Sequence, residues 1–133
     1  VTVHLSGGLQ VDFRFFEPAA YGAAMLYFTG SGREAGDPYF EYFYSVSMDG
    51  GEVRLLTPDS ANHDITLSPN FDFFIDSYST PLDPGASVVR DMRGRERMAL
   101  ETGDISALEA AGWQPPVPFK AKGRSKPSRT PLK

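Results

Sequence analysis

The sequence predicts a mostly β protein of the α+β class, built from antiparallel sheets with two short helices. Three observations carry that expectation. Apolar and polar residues alternate with a period of two along VTVHLSGGLQVDFRFF. Turn strings separate β-rich runs, as in Met48-Asp49-Gly50-Gly51, Pro69-Asn70-Phe71-Asp72 and Met92-Arg93-Gly94-Arg95. The chain has 133 residues with 41% hydrophobic and 13% aromatic content, which suits a single domain with one core.

The opening string reads as a hairpin. Odd positions Val1, Val3, Leu5, Leu9, Val11, Phe13 and Phe15 are apolar, and even positions Thr2, His4, Gln10, Asp12 and Arg14 are polar. Pairing Leu5 with Leu9 around Ser6-Gly7-Gly8 keeps the apolar set on one side and sets His4 opposite Gln10 and Thr2 opposite Asp12. The next segment admits two readings. Met25 to Thr29 fits a buried strand, while Pro18, Ala19, Ala20, Ala23 and Ala24 favour a helix, and a helix is expected over Pro18–Phe28.

Further along, paired strands are expected at Tyr42–Ser47 with Val53–Thr57, His63–Ser68 with Phe73–Tyr78, and Ser87–Asp91 with Arg97–Leu100. Asp104 is placed to cap a second helix over Ile105–Ala111, ended by Gly112. Pro115, Pro116 and Pro118 then impose an extended course.

Charge is unevenly spread. The body to Phe119 holds seven basic and 17 acidic residues, a balance of −10. Lys120, Lys122, Arg124, Lys126, Arg129 and Lys133 make residues 120–133 a basic tail of +6. Such a tail holds nucleic acid by counterion release, or folds onto an acidic body of its own or a neighbouring copy; the body charge favours self-contact. With no cysteine, disulfides, thiolate ligands and a cysteine nucleophile are excluded. No apolar run approaches the roughly 20 residues of a membrane span, and no basic-then-apolar leader is visible. A soluble protein is expected, cytoplasmic if expressed naturally; an opening Val rather than Met suggests a trimmed or cut-out piece.

Two family resemblances meet in this chain. GLQVDFRFFEPAAYGAAMLYFTGS, within residues 1–31, resembles the palm segment of family X DNA polymerases. That resemblance implies that Asp12 matches one of three metal-binding carboxylates, and that Tyr27, Phe28 and Gly30 lie beside a nucleotide sugar. YFTGSGREAGDPYFEYFYSVSMDGGEVRLLTP, NHDITLSP, FIDSYSTP, VVRD and DISALEAAGWQPPVPF, within residues 27–133, look like the last propeller portion of dipeptidyl peptidase IV-type prolyl oligopeptidases. Asn70-Phe71-Asp72 departs from the Asp/Ser-Gly turn usual there. Together they imply a chimera joined near Tyr27–Ser31, with residues 1–119 forming one compact domain of hairpin, helix and propeller-blade-like strands.

Each family's site is incomplete in the sequence. The polymerase Asp-x-Asp pair is missing, and there is no Gly-x-Ser-x-Gly elbow for a serine nucleophile. The leading expectation is therefore a self-associating fold with neither parental activity. The enzymatic alternative is a metal-dependent phosphoesterase with a site built at an oligomer interface. Asp12, His4 and His63 would then hold a divalent metal, although a solvated face explains Asp12 and His4 more simply, as packing does His63. Arg93, Arg95 and Arg97 are candidates to clamp a phosphate, against the plainer reading of a solvated edge. Tyr39, Phe40, Tyr42, Phe43 and Tyr44 read first as core and secondly as base-stacking platforms for nucleic acid, and Trp113 as a core anchor. A blade without its two neighbours leaves faces and edges bare, so a homodimer or higher homo-oligomer is expected.

Overall fold

The computed structural model describes residues 2–5, 9–14 and 25–122, the first two stretches by backbone path alone. Two antiparallel sheets account for most of it. β1 (Thr2–Leu5), β2 (Leu9–Arg14), β3 (Met25–Ser31), β4 (Glu41–Ser47) and β5 (Arg54–Leu55) form a five-stranded sheet in chain order. β6 (Asn62–Leu67), β7 (Phe73–Thr80), β8 (Asp83–Asp91) and β9 (Glu96–Thr102) form a four-stranded sheet, again in chain order. Among the described residues, α1 (Ser106–Ala110) is the only helix, where two short helices were expected.

The opening hairpin has the register its alternation predicts. Leu5 pairs with Leu9, His4 with Gln10 and Thr2 with Asp12. The expected helix over Pro18–Phe28 is corrected at its C-terminal end, because Met25–Phe28 begins β3; residues 18–24 lie outside the described residues. The cause is pairing on both sides. Phe28 faces Phe13 on β2 and Tyr44 on β4, and its side chain is 3% exposed. Burying a phenylalanine contributes about 1.5–3 kcal/mol, more than the few tenths per residue that propensity offers a helix.

β4 is buried on both faces, which explains its unbroken aromatic run. Tyr42 and Tyr44 pack with Phe28 on one side, with Leu26, Val46 and Leu55 around them. Phe43 points the other way, into a cluster with Leu56 and with Phe74 of the second sheet. Its ring meets Phe74 edge-on at 5.0 Å between centroids. The sheets thus pack against each other through β4 and β6 and the Phe43–Leu56–Phe74 cluster.

The β8–β9 turn fastens the layers. Gly94 has φ +82°, and a Cβ there would lie 2.5 Å from the Leu56 carbonyl oxygen of the first sheet's flank. Glycine alone permits that approach and that backbone. α1 is one residue shorter at each end than the expected Ile105–Ala111. Its cap position is Ile105, without a side-chain cap bond, while the Asp104 carboxylate accepts the Ser106 N–H at 2.8 Å. Trp113 is 41% exposed and is not the core anchor expected of it; with Leu108, Ile105, Pro81 and Pro84 it lines a small apolar hollow of about 220 Å³.

Candidate functional site

Alternate residues of a strand share one face, and diagonal neighbours on adjacent strands come within reach of long side chains. Ile65 pairs with Asp76 and Phe74 pairs with Arg90, so His63 and Arg90 are both diagonal neighbours of Asp76 on the inner face of the second sheet. The three meet there. Asp76 is fully buried; its Oδ1 lies 2.7 Å from His63 Nδ1 and its Oδ2 accepts Arg90 Nε at 2.8 Å. Arg90 also donates through Nη2 to Asp59 Oδ2 at 2.7 Å and through Nη1 to the Gly94 carbonyl at 3.3 Å. His63 Nε2 lies 2.9 Å from the Asp59 carbonyl oxygen. Tyr42 and Tyr78 sandwich the imidazole, with centroids at 5.4 and 5.6 Å.

This cluster is a structural lock. Both His63 nitrogens lie within hydrogen-bond distance of oxygens of the fold, Asp76 Oδ1 and the Asp59 carbonyl. Among the described residues, no buried side-chain nitrogen or oxygen lacks a partner. His63, a candidate metal ligand from the sequence, is 2% exposed and already has a polar neighbour at each ring nitrogen. His4 and Asp12 stand at diagonal register positions of β1 and β2, far along the chain from β6, with Asp12 paired to Thr29 of β3. No group of three or more His, Asp or Glu side chains able to hold a metal occurs among the described residues.

A second constellation adjoins it at the β8–β9 turn. Asp91 organises the β8–β9 turn. Its Oδ1 accepts the N–H groups of Arg93 at 2.9 Å and Arg95 at 3.1 Å, and its Oδ2 accepts Nε of Arg95 at 2.8 Å and of Arg97 at 3.1 Å. Burial raises this carboxyl's affinity for a proton, but the two amides and the Arg95 guanidinium outweigh it and hold Asp91 below the ordinary aspartate range. Arg93, Arg95 and Arg97 line one surface hollow of about 510 Å³, together with Tyr27, Phe71, Phe73 and Asp72. Burial pushes the Tyr27 phenol up, so it stays protonated at neutral pH.

The residues singled out for a nucleotide sugar are divided by strand alternation. Tyr27 joins the arginine hollow and stacks on Phe43 at 6.1 Å, whereas Phe28 and Gly30 point to the opposite side of the first sheet, where both are buried. The structure thus unites Tyr27 with the three arginines. Sequence reasoning missed Asp59, Asp76, Arg90 and Asp91. The signal was present: Asp76 and Arg90 occupy inward positions of strands otherwise filled by Phe74 and Val88, and a charge at such a position needs a partner.

The dipeptidyl peptidase IV (DPP IV) N-terminal region matches residues 16–85, more than half of the chain. The matched residues begin upstream of the expected junction at Tyr27–Ser31 and end beyond it. No solved structure matches the chain. On the strength of that match and of the paired antiparallel sheets, the chain belongs to the dipeptidyl peptidase IV N-terminal region family.

Proposed function

We propose that this chain is a non-catalytic propeller segment whose role is structural, presenting surfaces to other blades or to another copy of itself. One observation carries the reading: the groups best suited to chemistry are spent on each other. His63, Asp76, Arg90 and Asp59 form a closed set of hydrogen bonds, with His63 2% and Asp76 0% exposed. A buried, mutually satisfied set of this kind contributes to a unique packing rather than to turnover.

Self-association is part of the same proposal. β9 is exposed along its whole length and forms the border of its sheet, and Phe73, Ile75, Met98 and Leu100 add exposed apolar surface to that sheet. The −10 body and +6 tail supply charge complementarity between copies. The family match over residues 16–85 overlaps the polymerase-like segment expected at residues 1–31 and supports a single origin for the matched stretch.

The test is a turnover screen of the full chain with dipeptidyl amides, carboxylate esters and phosphate esters, with and without divalent metals, beside light scattering on a gel-filtration column. No turnover above background and a mass of two or more copies is expected. Phosphate-ester turnover abolished by chelator and by Asp12→Ala would overturn the structural reading in favour of a metal-dependent hydrolase. A monodisperse monomer at high concentration would remove the self-association.

A further inference from the structure

We propose that the hollow at the β8–β9 turn binds a phosphate monoester carried on a flat ring. Three features of the hollow support it. First, the cationic groups are pre-positioned. Asp91 Oδ2 holds Arg95 and Arg97 by their Nε atoms, so their Nη ends are oriented without needing a ligand to order them. Second, charge is in surplus. Three guanidiniums face two carboxylates, and Asp72 is engaged by Asn70 Nδ2 at 2.6 Å. The Arg93 side chain has no hydrogen bond or ion pair to any described residue, its one bond being the backbone N–H to Asp91. Third, Tyr27, Phe71 and Phe73 give the hollow aromatic walls, which suit a ring attached to the anion.

Planar guanidinium forks match the oxygens of a phosphate, which takes two or three such bonds at once. The hollow is open to water, with the Arg95 and Arg97 side chains 59% and 51% exposed. Affinity is therefore modest and falls with salt. A nucleoside monophosphate and a phosphotyrosine share the recognised chemistry, a dianion one bond or one sugar away from a flat ring.

The experiment is calorimetric titration of the full chain at low salt with inorganic phosphate, adenosine, adenosine monophosphate and O-phospho-L-tyrosine. One of the two ringed esters is expected to bind with a dissociation constant of about 1 mM, at least fivefold tighter than inorganic phosphate, while adenosine gives no signal. The tighter of the two identifies the source of the ligand. Arg93→Gln is expected to weaken that binding by about tenfold with an unchanged thermal midpoint, since its guanidinium bonds no described residue. Binding insensitive to Arg93→Gln, inorganic phosphate binding as tightly as both esters, or no binding by any anion would each overturn the proposal. None of these results bears on the turnover screen, so the two readings fail separately.

Discussion

Asp76 shows how much one buried residue decides. It accepts from Arg90 and lies 2.7 Å from His63 Nδ1, and its removal leaves the Arg90 Nε and that imidazole nitrogen without their partner in a buried site. Breaking a buried charge pair from one side costs about 3–5 kcal/mol, so Asp76→Ala is expected to leave the chain largely unfolded at 37 °C, read by the loss of its cooperative thermal transition. Asp91 follows Arg90 directly, at the β8–β9 turn, and titrates. Its folded form holds a proton more weakly than the unfolded chain does, so its stabilisation is present above the ordinary aspartate value of about 3.9 and is lost as pH falls through the depressed one. The stability difference between the parent and Asp91→Asn, measured by urea titration, should therefore shrink between about pH 6 and about pH 2. A difference independent of pH would mean that the carboxylate's charge has no part in holding the turn.

At the scale of elements, the β6–β7 turn carries a visible cost. Phe71 has φ +57°, a left-handed backbone that costs an ordinary residue about 1 kcal/mol and glycine almost nothing. The turn closes through Phe71 N–H to the Ser68 carbonyl at 3.0 Å and Phe73 N–H to Ser68 Oγ at 3.1 Å. Phe71→Gly is expected to raise stability by about 0.5–1 kcal/mol, seen as a higher urea midpoint with an unchanged slope. Under the proposal above it should also weaken ester binding by removing one aromatic wall. β9 is the second element with a consequence. Its outward Met98 and Leu100 are 60% and 48% exposed on a border strand, the place where proteins discourage pairing with charge. Met98→Lys with Leu100→Lys is expected to weaken self-association at least tenfold by sedimentation while leaving the circular dichroism spectrum unchanged. The strands themselves were legible from the string of turn residues, because Gly and Asn fix where chains reverse. The stretch Met25–Phe28 was not, because its alanine-rich approach and its aromatic end favour opposite structures and only pairing with β2 and β4 chooses between them.

The whole molecule depends on two layers staying in contact. Phe43, Leu56 and Phe74 supply the apolar contact, and Gly94 lets the β8–β9 turn sit on Leu56. Gly94→Ala adds a methyl where the Leu56 carbonyl already lies and forces a left-handed backbone on alanine. A loss of about 2–3 kcal/mol is expected, read as a lower denaturant midpoint. The same turn holds Arg90 through the Gly94 carbonyl and presents the three arginines of the hollow, so the interlayer seam, the buried lock and the proposed anion site share one short segment.

The sequence alone determined the β class and the register of the opening hairpin, because period-two patterning and turn chemistry are local properties, and its resemblance to dipeptidyl peptidase IV-type enzymes pointed to the family. It also pointed to Arg93, Arg95 and Arg97 as a group, since their alternation is written in the chain. Tertiary structure alone decided that Tyr27 joins those arginines, that His63 is locked against Asp76, and that Met25–Phe28 is strand. Each of these depends on which residues from distant strands occupy one face, and that is fixed by pairing across the sheet and packing between the sheets.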